Sequence, residues 1–186
     1  MLEQQPPIEF TRHGLGEPGY ALWWYWSRIR GDALVPERRA FHPGGIAQFL
    51  PIVTLVEREA PLVWRIRLAG TEIERRSGRK LTGVNYIDLV VPELRQREDR
   101  RLAGLIDQTC GALGVRENVR TSGSTYIVCT VSLPLRAHDG QIKQVIATNE
   151  ELARARLPVQ VDSLVALRIG WRQFFDIGRG IPEPIP

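Results

Sequence analysis

From Val53 onward the chain alternates apolar and polar residues with period two. The stretches "PIVTLVERE" and "PLVWRIRLAG" predict two strands joined by a tight turn at Ala60-Pro61. In the second, Leu62, Trp64, Ile66 and Leu68 share one face, and Arg65 and Arg67 form the wet face of a half-buried antiparallel strand. The alternation returns in "VRENVRT", "TYIVCTVSLPLR" and "IKQVIATNEE", separated by "SGS" and by "HDGQ", whose Asp-Gly pair is a hairpin signal. Within the middle stretch Ile127, Cys129, Val131 and Leu133 point one way, and Tyr126, Val128, Thr130 and Ser132 the other.

Elsewhere the period is helical. In "GEPGYALWWYWSRIRGD", Pro18 suits a first turn and Gly31 an end, while Leu22, Trp26 and Ile29 recur at i, i+4 and i+7. Trp23, Trp24, Tyr25 and Trp26 spread apolar area around this helix, more than one sheet face covers. The strip predicts a homodimer with Leu22, Trp23, Trp26 and Ile29 at its interface, the alternative being core packing. A long helix is expected from Pro92 through Leu102, Leu105, Ile106, Thr109 and Leu113, closed by Gly111 and Gly114. Thr71 is a candidate cap for a short helix ending at Gly78, "PGGIAQFL" reads as another short helix, and "VNYIDLVVPE" reads as a connector. Near the end, Leu164, Leu167, Trp171 and Phe174 line one side of a possible amphipathic helix interrupted by Gly170, with an extended "RGIPEPIP" after it.

A length of 186 residues fits one domain: a flexible leader over 1–17, the domain over 18–153, and an extension over 154–186. No apolar run approaches the ~18 residues of a membrane span, and "MLEQQPPIEF" lacks the basic start and apolar stretch of a secretory signal. A cytoplasmic protein is expected. Two cysteines, Cys110 and Cys129, are too few and too far apart for a disulfide scaffold or a zinc knuckle, and His13, His42 and His138 have no spaced metal-binding partner. Catalysis would require Cys129 or Ser124 as nucleophile with His138 or His42 as base, yet no motif frames either one, so a non-enzyme is expected.

The net charge of +4 is spread along the chain. Its densest basic run, Arg75, Arg76, Arg79 and Lys80, holds neither a phosphate loop nor a dinucleotide loop. A nucleic-acid-binding regulator using Arg75 to Lys80 is the alternative function. The run at Arg95, Arg97, Arg100 and Arg101 is broken by Glu98 and Asp99, and nucleic acid is not the expected partner.

The element order, with "RIRLAGTEI" and "GRKLTG" as its most specific part and a tryptophan-bearing helix and a Pro-Arg segment ahead of it, resembles PAS-like bacterial proteins described as a domain of unknown function. The resemblance spans roughly Leu22 to Glu151. It implies an α+β fold: a five-stranded antiparallel sheet with helices covering one face, plus the N-terminal aromatic helix and a C-terminal extension. It also implies a sensory module that holds a small apolar ligand between sheet and helices and relays its state to a signalling partner. The pocket candidates are Trp64, Ile66, Leu68, Tyr86, Leu105, Cys129, Val131 and Ile146, residues that serve equally well as packed core. The ligand is unknown. Covalent flavin chemistry and haem are disfavoured, because Cys110 lies in "QTCGAL" rather than in the flavin-binding pattern and no histidine falls on a pocket-lining helix.

Overall fold

The computed structural model describes residues 5–152 and 163–182. The five predicted strands all form: β1 (Val53–Ala60), β2 (Val63–Ala69), β3 (Gly111–Arg120), β4 (Thr125–Arg136) and β5 (Ile142–Glu151). They make an antiparallel sheet in the order β2-β1-β5-β4-β3, and a sixth strand, β6 (Leu164–Phe175), adds to the free edge of β3. The expected count of five strands is therefore corrected to six.

β6 also replaces the amphipathic helix expected near the end. Its apolar residues match both periods over so short a window, and pairing with β3 decides in favour of the strand. Gly170 sits where β6 skips one residue against β3, between the pairs Val115↔Trp171 and Arg116↔Ile169. A Cβ there would lie 2.8 Å from the Val115 carbonyl oxygen, so this glycine permits the bulge and does not weaken a helix. Residues 153–162 and 183–186 of the expected extension lie outside the described residues.

Helices cover both faces of the sheet. On one lie α3 (Thr71–Ser77), α4 (Tyr86–Leu89) and α5 (Arg95–Asp107); on the other lie α1 (Ile8–Arg12) and α2 (Glu17–Arg30). Asn85 caps α4 through its side chain, which accepts from the Ile87 amide, so a short helix stands within the expected connector. α5 ends at Asp107, because Thr109 takes a φ of 54° that no helix continues. Leu113 consequently belongs to β3. Gly78 ends α3 in the left-handed conformation, as expected, while the cap position ahead of it is Gly70 rather than Thr71. A Cβ on Gly70 would run into the Pro51 carbonyl, which accounts for the glycine in "RLAGTEI".

The α2 side is packed with aromatic rings. Phe10, placed by the sequence in a flexible leader, is fully buried and meets Tyr20 and Phe175 edge-on at 5.3 and 5.4 Å. Trp23 and Trp26 stack, and the Trp26 indole donates to the Pro134 carbonyl at 2.8 Å. Leu22, Trp23 and Trp26 are all at most 3% exposed within one chain, and Ile29 packs against the same cluster. Within one chain the sheet face and α1 together cover the strip expected at a dimer interface, leaving Trp24 at the surface.

Candidate functional site

A partly enclosed cavity of about 60 Å³ lies between the sheet and α3–α5. Its roof is apolar: Ile73 from α3, Leu81 from the following loop, Leu89 from α4 and Leu102 from α5, with Val56, Ile66 and Val145 contributed by the strands. Tyr86, at the start of α4, brings its hydroxyl to Glu98 Oε1 at 3.2 Å. Burial, with the nearby Glu98 carboxylate, raises this phenol well above its ordinary value, so it stays neutral.

The floor is polar, and the sheet register builds it. Arg172 of β6 pairs with Gly114 of β3, Gly114 with Thr130 of β4, and Thr130 with Asn149 of β5, giving one cross-strand row on the cavity face. Arg116 and Asn118 continue that face along β3, and Ser132 along β4. Arg116 donates from Nε to Asn118 Oδ1 at 3.1 Å and from Nη2 to Asn149 Oδ1 at 2.6 Å. Asn149 in turn donates to the Ile52 carbonyl and to Thr54 Oγ1, both at 3.1 Å, and Thr130 donates to the Gly114 carbonyl at 3.2 Å. Arg172 donates from Nη2 to Glu98 Oε1 at 2.6 Å, within an ion pair whose side chains are 7% and 0% exposed. Glycine at 114 suits the close approach of its neighbours, since a Cβ there would sit 3.2 Å from Thr130 Oγ1 and 3.3 Å from the Trp171 carbonyl oxygen.

The eight pocket candidates divide between the two faces. Ile66 and Tyr86 line the cavity; Trp64 and Leu105 belong to the core on the same side without lining it. Leu68, Val131 and Ile146 belong to the α2-side core, and Cys129 shares the strand face of Val131. Two physical causes separate them. A bulge leaves Arg67 opposite no residue of β1, because Leu55 pairs with Leu68 and Val56 with Ile66, so Ile66 and Leu68 point to opposite faces. The odd face of β4 is indeed helix-covered, but by α2, so Cys129 and Trp64 do not share an environment. The polar residues of the floor carry no signal in the alternation, because both sheet faces are buried and an apolar stripe does not say which one holds the cavity.

The thiols stand apart from the cavity. Burial pushes Cys129 up to about 11 and Cys110 up to about 12, and neither lines the space. A flavin does not fit these residues: no sulfur faces the cavity, and about 60 Å³ is far below the ~300 Å³ at which pockets for large ligands begin. None of the three histidines lines it either; His13 packs against Trp171 with tilted rings at 4.7 Å and bonds Gln173.

Two of the four members of the basic run are paired within the chain. Arg75 pairs with Glu72, and Arg76 is buried, donating to the Asn149 carbonyl and to Glu151. Arg65 and Arg67 pair with Glu59 and Glu57. Among the described residues no group of three or more His, Cys, Asp or Glu could hold a metal. Nor is any helix among them long and apolar enough to cross a membrane.

A family model described as "PAS domain" matches residues 16–148, and the chain belongs to that family. PAS domains are, as a class, sensory signalling modules. A search among curated proteins finds no match. Among solved structures, the chain is similar to the Rhodobacter sphaeroides LOV protein at 17% identity and a TM-score of 0.45, over 56% of this chain and 60% of that one. It thus spans about three-fifths of that protein's length. It is also similar to the dark-state LOV domain of the photoreceptor Aureochrome1, at 17% identity and a TM-score of 0.45, over 59% of this chain and 80% of that one.

Proposed function

We propose that this chain is a non-catalytic sensory module of the cytoplasm that admits a small molecule between its sheet and α3–α5 and reports occupancy to a protein partner. The observation that carries this reading is the cavity itself, which combines an apolar roof with fixed hydrogen-bonding groups, the usual make-up of a small-molecule site. The mixed lining departs from the purely apolar ligand expected from the sequence. Arg172 and Trp171 are neighbours on β6 that point to opposite sides, and Trp171 packs against His13 just after α1. A shift of β6 at the cavity therefore reaches the N-terminal helices directly. The partner is a signalling protein or a second copy of this chain, and the exposed Trp24 and Trp171 are available to it. The nucleic-acid alternative loses the support of Arg75 and Arg76, which are committed to acidic partners.

The test is an amide NMR titration of the purified chain with a panel of small neutral and charged compounds, alongside native mass spectrometry. Shifts centred on Ile66, Tyr86 and Val145 are expected. If no compound moves these amides and no bound mass co-purifies, the cavity is only a packing defect.

A further inference from the structure

Resting on the reading of the cavity as a ligand chamber, we infer that its ligand is a short-chain carboxylate, with the carboxylate held between Arg172 and Arg116 and the alkyl part under the apolar roof. Arg172 is the starting observation. Its side chain is 7% exposed, and among the described residues its Nε and Nη1 have no hydrogen-bond partner although both are buried. Buried guanidinium donors left open are costly and uncommon, and a carboxylate set against either one supplies a charge-assisted acceptor.

Arg116 is the second observation. It forms no ion pair among the described residues, and its Nε and Nη2 donate only to the neutral amides of Asn118 and Asn149. The cavity thus gathers two arginines against one carboxylate, Glu98, and an anionic ligand balances the remaining positive charge. The two asparagines hold the Arg116 fork in place beforehand, which lowers the ordering cost of binding. Tyr86, Thr130 and Ser132 add neutral hydrogen-bonding groups around it.

Size and polarity narrow the class. An apolar cavity of 150 Å³ takes the six heavy atoms of benzene, so about 60 Å³ encloses roughly two or three, and the rest of a short-chain ligand extends toward the open side. A fully polar anion such as phosphate would leave Ile73, Leu81, Leu89 and Leu102 facing charge, whereas an alkyl carboxylate uses both halves of the lining.

The experiment titrates the full chain with propionate, propionamide and inorganic phosphate at constant ionic strength, following the arginine Nε–H and the Tyr86 and Val145 resonances. Propionate is expected to saturate these shifts at a concentration at least tenfold lower than either control. Arg116→Gln should raise that concentration at least tenfold while leaving the unfolding temperature close to wild type, because Arg116 balances no buried charge. Arg172→Lys, which keeps a cation beside Glu98 but removes the fork, should weaken propionate likewise and serves if the first variant fails to fold. Equal binding of propionamide or phosphate would overturn the carboxylate while leaving the chamber standing. If no probe binds, the carboxylate falls, and the wider compound panel with native mass spectrometry decides the chamber separately.

Discussion

The two faces of the sheet are built from the same strands and have become different materials. On the α2 side, Leu55, Leu113, Val131, Leu133, Leu135 and Ile146 meet Phe10, Trp23, Trp26 and Phe175, and the space is filled by rings. On the α3–α5 side, the intervening positions of the same strands present Thr54, Arg116, Thr130, Ser132 and Asn149, and a cavity remains. Adjacent residues such as Val145 and Ile146 stand on opposite sides of this divide. The first face holds the molecule together; the second gives up some close packing for placed donors and space. Close packing and open space are thereby separated by the pleat.

The largest expected effect tests the filled face. Trp26→Ala removes a fully buried indole and its bond to the Pro134 carbonyl, and should cost about 3–5 kcal/mol in denaturant unfolding. A loss below about 1 kcal/mol would mean that this face is no better packed than the other.

Next comes the charge pair on the cavity face. Arg172→Met strands Glu98 in a fully buried position and should cost about 3 kcal/mol, while adding Glu98→Gln should restore most of it. If the double variant is as unstable as the single one, the arginine matters for its packing and the ion pair does not.

The third test sharpens the comparison along one strand. Ile146→Phe overpacks the ring-filled side and should cost about 1–3 kcal/mol, whereas Val145→Phe grows toward the cavity and should cost less than about 1 kcal/mol while blocking ligand. Equal costs would abolish the distinction between filled and open faces.

The smallest effect concerns the two thiols, one on each side. Both are raised by burial, Cys129 to about 11 and Cys110 to about 12, so native labelling at pH 8 should be slow for both, with Cys129, at 9% exposure, ahead of the fully buried Cys110. A folded-state value raised above the unfolded one stabilises the protein below the unfolded value of ~8.5 and loses that contribution as pH climbs toward 11 to 12. Stability measured by denaturant should therefore decline across that alkaline window, and replacing both cysteines by Ala should flatten the decline.

Much of the fold was legible because strands announce themselves by alternation. All five expected strands and the short α3 stand close to where the sequence placed them. What could not be read was which buried face would be solid. That depends on the Arg67 bulge, which sends Leu68 to the side opposite Ile66, and on β6, whose pairing partner lies about fifty residues away. The aromatic helix looked too apolar for one chain because Phe10 and β6's Phe175, which share its burial, were assigned to a leader and a tail. In the candidate site, Ile66 and Tyr86 were foreseen through their apolar faces. Arg116, Asn149 and Arg172 were not, because a polar residue at an alternating position reads as solvent-facing until a second layer is known to cover it.

β6 also imposes an order of events on a chain emerging from the ribosome. The strands that can pair early, β1 to β5, are complete by Glu151, and the family match ends at residue 148. At that moment β3 is a bare edge exposed to other nascent chains, and Glu98 awaits its cation. Only when Leu164–Phe175 follows does Arg172 reach Glu98, while Phe175 of the same strand closes the aromatic cluster against Phe10. Completion of the cavity wall and protection against aggregation are thus the same late step in synthesis, and a ribosome paused before that strand would display a molecule lacking both.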